Sequence, residues 1–368
     1  MNPFKLLILT PTALPAVTGN AMTAERWRRS LVGMGLDVQV IATEGCGAQD
    51  LARDIDRFRP DILHVHNAYR AGGLLLDEVL AGFRARLPLV VSPSGTDMNI
   101  ESRVPGRREV VGRVLRRAEA IIVQSEEGRV RLREIVPESM GRVFFAPKAF
   151  VWLGEEMQDL RASCSVPPGG VLFFMPAGVR PVKGNLECLQ ALENVHGMRP
   201  QVRAVFAGPP LDAAYAERFR RDVERLHGFA RWIPPITPSA MRSAYESADV
   251  IVNGSLSEGL SNVLIEGKAA GKPLLASDIP GNRWPVLGDA GDAPMGLLFD
   301  PTSPADFTEK ALRLIDDEAL RRTLGEAGGA YARRMPGPCD EARALVAVYE
   351  KAMGRGTEQR VSGFGSRG

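Results

Sequence analysis

Cysteine and histidine are both scarce in this chain, with four of each among 368 residues. Cys46, Cys164, Cys188 and Cys339 lie far apart and form no C-x-x-C pair. That spacing excludes a zinc ribbon and a disulfide scaffold, and the four read as reduced thiols of a cytoplasmic protein. A basic excess is also missing. Lys and Arg number 46 against 44 Asp and Glu, a net charge of +2, so the electrostatic footprint of a nucleic-acid binder is absent. No apolar run approaches the roughly 20 residues of a membrane span. The apolar stretch FKLLILT at 4–10 is too short for the core of a secretion signal and reads as a buried first strand.

What is present is a repeated alternation. Hydrophobic content of 45 % with 24 % charge is ordinary for a globular protein, and the length suits two domains. FKLLILT, DVQVIA, DILHVH, PLVVS and AIIVQS are short apolar runs separated by helical patterns. After a break near 150–170, which includes the linker-like SCSVPPGGV, the alternation restarts with VLFFM, VRAVFAG, FARWI, DVIVNG, KPLLAS and GLLFD. Strands that alternate with helices pair in parallel and carry helices on both faces. The expectation is an α/β protein of two doubly wound, Rossmann-like domains facing a central cleft. The first covers 1–155 and is completed by a closing helix at 339–355; the second covers 165–335. The Gly/Ser-rich tail 356–368 is expected to be disordered.

Parallel sheets bind ligands beyond the carboxyl ends of their strands, so the strand ends carry the functional reading. In LSEGLSNVLIEGKAAGKPLLAS, 256–277, a loop of small residues runs from Glu258 into a helix that starts near Ser261 or Asn262 and holds Glu266 one turn in. The free amides at that helix start suit a phosphate. A carboxylate accepts from paired hydroxyls, so Glu258 and Glu266 suit a ligand with a sugar at each end. A capping glutamate and a solvated one are the bland alternative. In PAGVRPVKGN, Arg180 and Lys183 stand before a helix expected from about Asn185, where two cations can clamp a diphosphate. AGPPLDAAY is a further turn that shapes the cleft.

In the first half, Gly19 and Asn20 open the first helix, where glycine allows a ligand close to the backbone. His64 and His66 lie in the third strand. Alternation along the strand is expected to bury one of them and aim the other at neighbouring groups, and His66, nearer the strand end, is expected to face the cleft; no third ligand makes them a metal site. SPSGTDMN places Gly95, Thr96 and Asp97 at the fourth strand end, where Asp97 either orients or deprotonates an acceptor or caps a helix. Arg103, Arg107, Arg108, Arg113, Arg116 and Arg117 form a basic cluster. It reads as a solvated face, with an anionic acceptor or membrane surface as its alternative.

SEGLSNVLIE resembles the E-x-x-x-x-x-x-x-E motif of family-four retaining glycosyltransferases, which have the two-domain GT-B fold. RPVK resembles that family's diphosphate clamp in a shorter spacing. With TGNAMTAERWR, SGTDMN, GRVLRRAEA, AGPPLDAAY and IPGN, the chain resembles the glycosyltransferase one domain-containing branch, and it is also similar to bacterial selenosugar synthases. The resemblance implies that Glu258 contacts the donor sugar and Glu266 the ribose. Gly259, Leu260, Ser261 and Asn262 would offer backbone to sugar and diphosphate, and Arg180 and Lys183 would stabilise the leaving diphosphate. His66 would contact the sugar from the opposite domain, and Gly19 and Asn20 would line the phosphate and acceptor side. It implies a metal-independent, retaining transfer by front-face displacement, with no cofactor beyond a nucleoside diphosphate sugar. UDP-sugars are favoured, UDP-GlcNAc among them, and the partner is a small-molecule acceptor. A selenium or sulfur acceptor, a nucleotide-sugar epimerase and a non-catalytic sugar-nucleotide binder are the alternatives.

Overall fold

The structure, a computed structural model, describes residues 3–355; the tail 356–368 lies outside the described residues. Twelve strands form two six-stranded, wholly parallel sheets. The first contains β1 (Lys5–Thr10), β2 (Asp37–Ala42), β3 (Ile62–His66), β4 (Leu89–Ser92), β5 (Ala120–Val123) and β6 (Val143–Phe145), in the order β2-β1-β3-β4-β5-β6. The second contains β7 (Leu172–Pro176), β8 (Arg203–Ala207), β9 (Ala230–Ile233), β10 (Val250–Asn253), β11 (Leu274–Ser277) and β12 (Gly296–Phe299), in the order β12-β11-β10-β7-β8-β9. The fold is GT-B.

The eleven apolar runs expected from the sequence are all strands. β6 was not among them. It is a three-residue edge strand, half-exposed, with Phe145 at 63 % exposure, so it lacks the apolar run that marks a buried strand. Central strands do show that run: every residue of β3, β4 and β5 is buried. Each sheet is covered on both faces by apolar clusters, so both faces of each strand must be hydrophobic.

The order of strands positions the cleft. In the first sheet the winding reverses between β1 and β3, in the second between β7 and β10. Loops leaving such neighbouring strands diverge and open a crevice. The strand ends and following segments of β1 and β3 and of β7 and β10 hold Gly19, His66, Arg180, Lys183 and Glu258.

Helix Pro338–Ala352 packs on the first sheet, although the preceding helices belong to the second. Ala342, Leu345 and Tyr349 are buried beside Phe4, Ile8 and Trp27. Its Glu341, 1 % exposed, accepts from Arg26 Nε at 2.7 Å and Nη2 at 2.9 Å, from Trp27 Nε1 at 2.9 Å and from Gln124 Nε2 at 3.0 Å. Four donors compensate the burial of that carboxylate. Tyr349 Oη meets His64 Nδ1 at 2.7 Å, while His64 Nε2 meets Ser92 Oγ at 2.8 Å.

Candidate active site

A cleft of about 1410 Å³ separates the two sheets' carboxyl ends. It has room for more than one drug-sized ligand. On the second-sheet side, two loops are pressed together. Gly184 has φ +65°, and a Cβ there would come 2.3 Å from the Gly254 carbonyl oxygen, so only glycine fits. Leu256 N–H donates to Val182 O at 2.9 Å across the same seam. This contact brings Lys183 to Glu258: Nζ lies 2.5 Å from Oε1. Ser255 Oγ donates to the same oxygen at 2.8 Å. Burial pushes the Glu258 carboxyl up, but Lys183, Ser255 and Lys148 together hold it below the ordinary carboxylate range.

Arg180 lines the cleft beside this pair. Its Nε is buried and has no acceptor among the described residues. Burial lowers its pKa, Glu258 opposes that, and Arg70 from the first sheet's side lowers it further. A buried donor without a partner is costly, and an acceptor reaching it from the cleft, an anion among the candidates, would satisfy it.

The loop after β10 is organised by Asn253, whose Nδ2 donates to Ser261 Oγ at 2.7 Å and whose Oδ1 accepts from Ser255 N–H at 2.9 Å. Ser261 occupies the N-cap of helix Asn262–Ala269, but its side chain makes no capping bond. The first helical amides are therefore left for a ligand, with the helix dipole behind them. Gly259, Leu260, Ser261 and Asn262 all line the cleft. Glu266 lies one turn in, and Tyr245 Oη donates to its Oε2 at 2.7 Å. Burial pushes the Glu266 carboxyl up to about 7, against the pull of Tyr245, Lys148 and Arg26.

On the opposite wall, Thr18 caps helix Gly19–Gly33, and Gly19 and Asn20 line the cleft. A Cβ on Gly19 would stand 3.7 Å from Asn262 Nδ2, so the two helix starts face each other. The histidines require a correction. Residues two apart on a strand point to the same face, so alternation does not separate them. Both contact the Trp27 ring, with centroids 4.8 Å away for His64 and 5.0 Å for His66. They differ in depth: His64 is 0 % exposed, whereas His66 is 8 % exposed and lines the cleft. His66 Nδ1 is 3.3 Å from the Ser92 carbonyl oxygen. That acceptor places the proton on Nδ1 and leaves Nε2 with its lone pair. Burial lowers the His66 pKa to about 4, so the ring is neutral at pH 7.

Asp97 does not reach the cleft. It is 0 % exposed, and its carboxylate accepts from the backbone N–H groups of Ala68 at 2.8 Å, Tyr69 at 3.0 Å and Ser94 at 2.8 Å. It closes a capping box and joins two strand-end loops, so of its two expected roles the structure supports the cap. The arginine cluster is largely engaged within the molecule. Arg107 pairs with Glu101 at 2.8 Å, Arg116 with Glu138 at 2.5 Å and Arg117 with Glu119 at 2.6 Å, and Arg108 donates to the Glu134 carbonyl at 2.9 Å. Arg103 lines the cleft. No helix among the described residues is long and apolar enough to cross a membrane, and among them no three His, Cys, Asp or Glu side chains gather as metal ligands.

Residues 157–330 match the family Glycosyl transferases group 1, and residues 47–147 match the Glycosyl transferase 4-like domain. The chain belongs to the glycosyltransferases. This glycosyltransferase is 24 % identical to Glycosyltransferase 1 domain-containing protein 1 of Xenopus tropicalis, over 86 % of its own length and 90 % of that protein's. It is 29 % identical to the D-inositol 3-phosphate glycosyltransferase of Streptomyces bingchenggensis, over 52 % of its length and 43 % of that relative's. Its fold is similar to that of Anabaena HepE, solved with UDP and glucose (TM-score 0.75, 16 % identity, 95 % of this chain and all of the other). It is also similar to sucrose-phosphate synthase of Thermosynechococcus elongatus (TM-score 0.78, 17 % identity, 96 % of this chain and all of the other).

Two cleft residues of the glycosyltransferase carried no sequence signal. Lys148 follows the weak strand β6, in a segment without a motif, and its Nζ donates to the Leu260 carbonyl at 2.7 Å. Burial and Arg26 lower its pKa to about 7, with Glu341, Glu258 and Glu266 pulling the other way. Arg70 lies past His66 and faces Arg180 across the cleft; its Nη2 is 3.1 Å from Glu44 Oε1. The run HNAYR held it in plain sight, but nothing local distinguishes it from a solvated loop arginine.

Proposed function

We propose that this glycosyltransferase moves a sugar from a UDP-sugar, UDP-GlcNAc being the favoured member, to a small-molecule acceptor, without metal and with retention of the anomeric configuration. The observation that carries this reading is the cation set. Arg180 has a buried Nε without an acceptor among the described residues, and Lys183 stands just before helix Asn185–Met198, whose start has no side-chain cap. These groups match a diphosphate that gains charge as its bond to the sugar breaks. Glu258, at the near end, accepts from the sugar hydroxyls; Glu266, one turn further, accepts from the ribose. The His66 Nε2 lone pair accepts a sugar hydroxyl from the opposite wall. The acceptor enters from the side of Gly19 and Asn20. Its oxygen attacks the anomeric carbon on the face the diphosphate leaves, the anomeric C–O bond to phosphate breaks, and the departing phosphate oxygen takes the acceptor proton. Glu258 is paired with Lys183 and so is poorly disposed to act as a covalent nucleophile, which favours this single front-face step. Residues lining both walls exclude water from the donor.

The test is product analysis. Purified protein is incubated with a chelator, a panel of nucleoside diphosphate sugars and a panel of small hydroxyl acceptors, and the product anomer is read by NMR. Release of UDP with a retained linkage is expected. No transfer from any sugar nucleotide overturns the reading, and an inverted linkage overturns its stereochemistry.

A further inference from the structure

The loop at 258–261 is held from outside its own domain. Asn99 Nδ2 donates to the Glu258 carbonyl at 3.0 Å, and Lys148 Nζ donates to the Leu260 carbonyl at 2.7 Å. Both donors come from the first-sheet side, Asn99 at the end of helix Gly95–Asn99 and Lys148 just beyond β6. Between them the two backbones touch. A Cβ on Gly95 would lie 2.3 Å from Gly259 N and 2.7 Å from its Cα, and a Cβ on Gly259 would lie 2.8 Å from the Gly95 Cα. No side chain fits at either position while the cleft has this width.

The consequence follows from peptide geometry. A carbonyl and the N–H that follows it share one planar trans unit. Holding the Glu258 and Leu260 oxygens therefore fixes the direction of the Gly259 and Ser261 N–H groups. Neither of those N–H groups has a protein acceptor among the described residues. They are free donors, oriented by the opposite domain and next to the Glu258–Lys183 pair.

We propose that Asn99 and Lys148 are positioning residues of the transfer: they clamp the Glu258 and Leu260 carbonyls and thereby aim the Gly259 and Ser261 amides at the sugar and its diphosphate only while the two domains are closed. The role in transfer rests on the function proposed above; the clamp itself does not. The second domain carries the donor-side cations by itself, so the nucleotide can bind before the loop is set. Transfer then waits for the two bonds from the other domain, which delays bond breaking until the acceptor side has arrived.

Two measurements on the full chain separate these claims. The first is backbone 15N relaxation of the ligand-free protein, which reads how firmly each amide is oriented. Asn99→Ala and Lys148→Met are expected to lower the order parameters of Gly259 and Ser261 and leave β7 unchanged; unchanged order parameters at both amides in both variants overturn the clamp. The second is kinetics with UDP-sugar. The variants are expected to lose roughly tenfold or more in kcat, while the Kd for UDP moves less than about threefold. Equal loss in kcat and in UDP affinity overturns the positioning role. Lowered order at Gly259 and Ser261 in the variants of a protein whose wild type transfers no sugar supports the clamp and overturns the proposed function instead.

Discussion

Lys183 Nζ rests 2.5 Å from Glu258 Oε1, although the two residues are 75 apart in sequence and belong to loops from different strands. On the proposed function, the cation that meets the diphosphate is paired with the carboxylate that meets the sugar, so a donor must share or divide this pair. Replacing each partner should have opposite effects on nucleotide binding. Lys183→Ala removes a charge-assisted contact worth about 1.5–3 kcal/mol, so UDP affinity should fall roughly 10–100-fold. Glu258→Gln frees the lysine, so UDP should bind at least as tightly while transfer is lost. Calorimetric titration with UDP alone reads the first effect, and turnover reads the second.

Glu266 combines a cost with a use. Burial raises its folded pKa to about 7, above the ordinary 4.5. The folded protein thus holds a proton that the unfolded chain releases over that interval, and this group's contribution to stability is lost as pH rises from about 4.5 through 7. Glu266→Gln removes the penalty. The ligand-free variant should melt higher than the wild type at pH 8, with the gap closing towards pH 5. On the proposed function its nucleoside affinity should fall, because Glu266 then accepts from two ribose hydroxyls in its ionised form. The wild type should likewise lose UDP affinity as pH drops below 7.

The Glu341 carboxylate is the main polar fastening of helix Pro338–Ala352 to the first sheet. Glu341→Ala leaves the buried Arg26 guanidinium without its carboxylate, which costs about 3–5 kcal/mol. Denaturant unfolding should show that loss. Folded Glu341→Ala should bind UDP as the wild type does, since the donor-side cations lie in the other domain.

Lys268 is 0 % exposed, and its Nζ has no hydrogen-bond partner among the described residues. It lies 4.6 Å from the Trp284 ring centroid and 4.2 Å from that of Tyr331. Burial lowers its pKa to about 8, with Asp289 and Asp292 opposing. Between pH 8 and the ordinary 10.5 the unfolded chain binds the extra proton, so wild-type stability gains from this group as pH rises through that window. Lys268→Met should be the more stable protein below pH 8, and its advantage should shrink towards pH 10. Thermal unfolding across that range checks it.

Much of the fold was legible because a parallel sheet covered on both faces writes itself as apolar runs. β6 escaped because an edge strand of three residues has no such run. The grouping of Arg180, Lys183, Glu258 and Glu266 on one wall of the cleft was legible for a related reason: the first three lie in segments that leave strand ends and Glu266 lies one turn into the helix that follows, where spacing along the chain converts directly into position. Asp97 sits at a strand end too, but its carboxylate turns inward to three backbone amides, and residue type does not reveal which way a side chain turns. His64 and His66 were separated by face when a strand's period of two puts them together. Asn99 and Lys148 matter through bonds across the cleft, to partners more than a hundred residues away, and Arg70 through its charge facing Arg180; no local pattern encodes those.

The account stands most directly on a calorimetric titration of UDP into the chelator-treated protein and into its Arg180→Ala variant. It predicts metal-free binding of UDP by the wild type and a loss of roughly tenfold or more in affinity in the variant. Binding of equal strength in both proteins, or no binding of any nucleoside diphosphate, would contradict it.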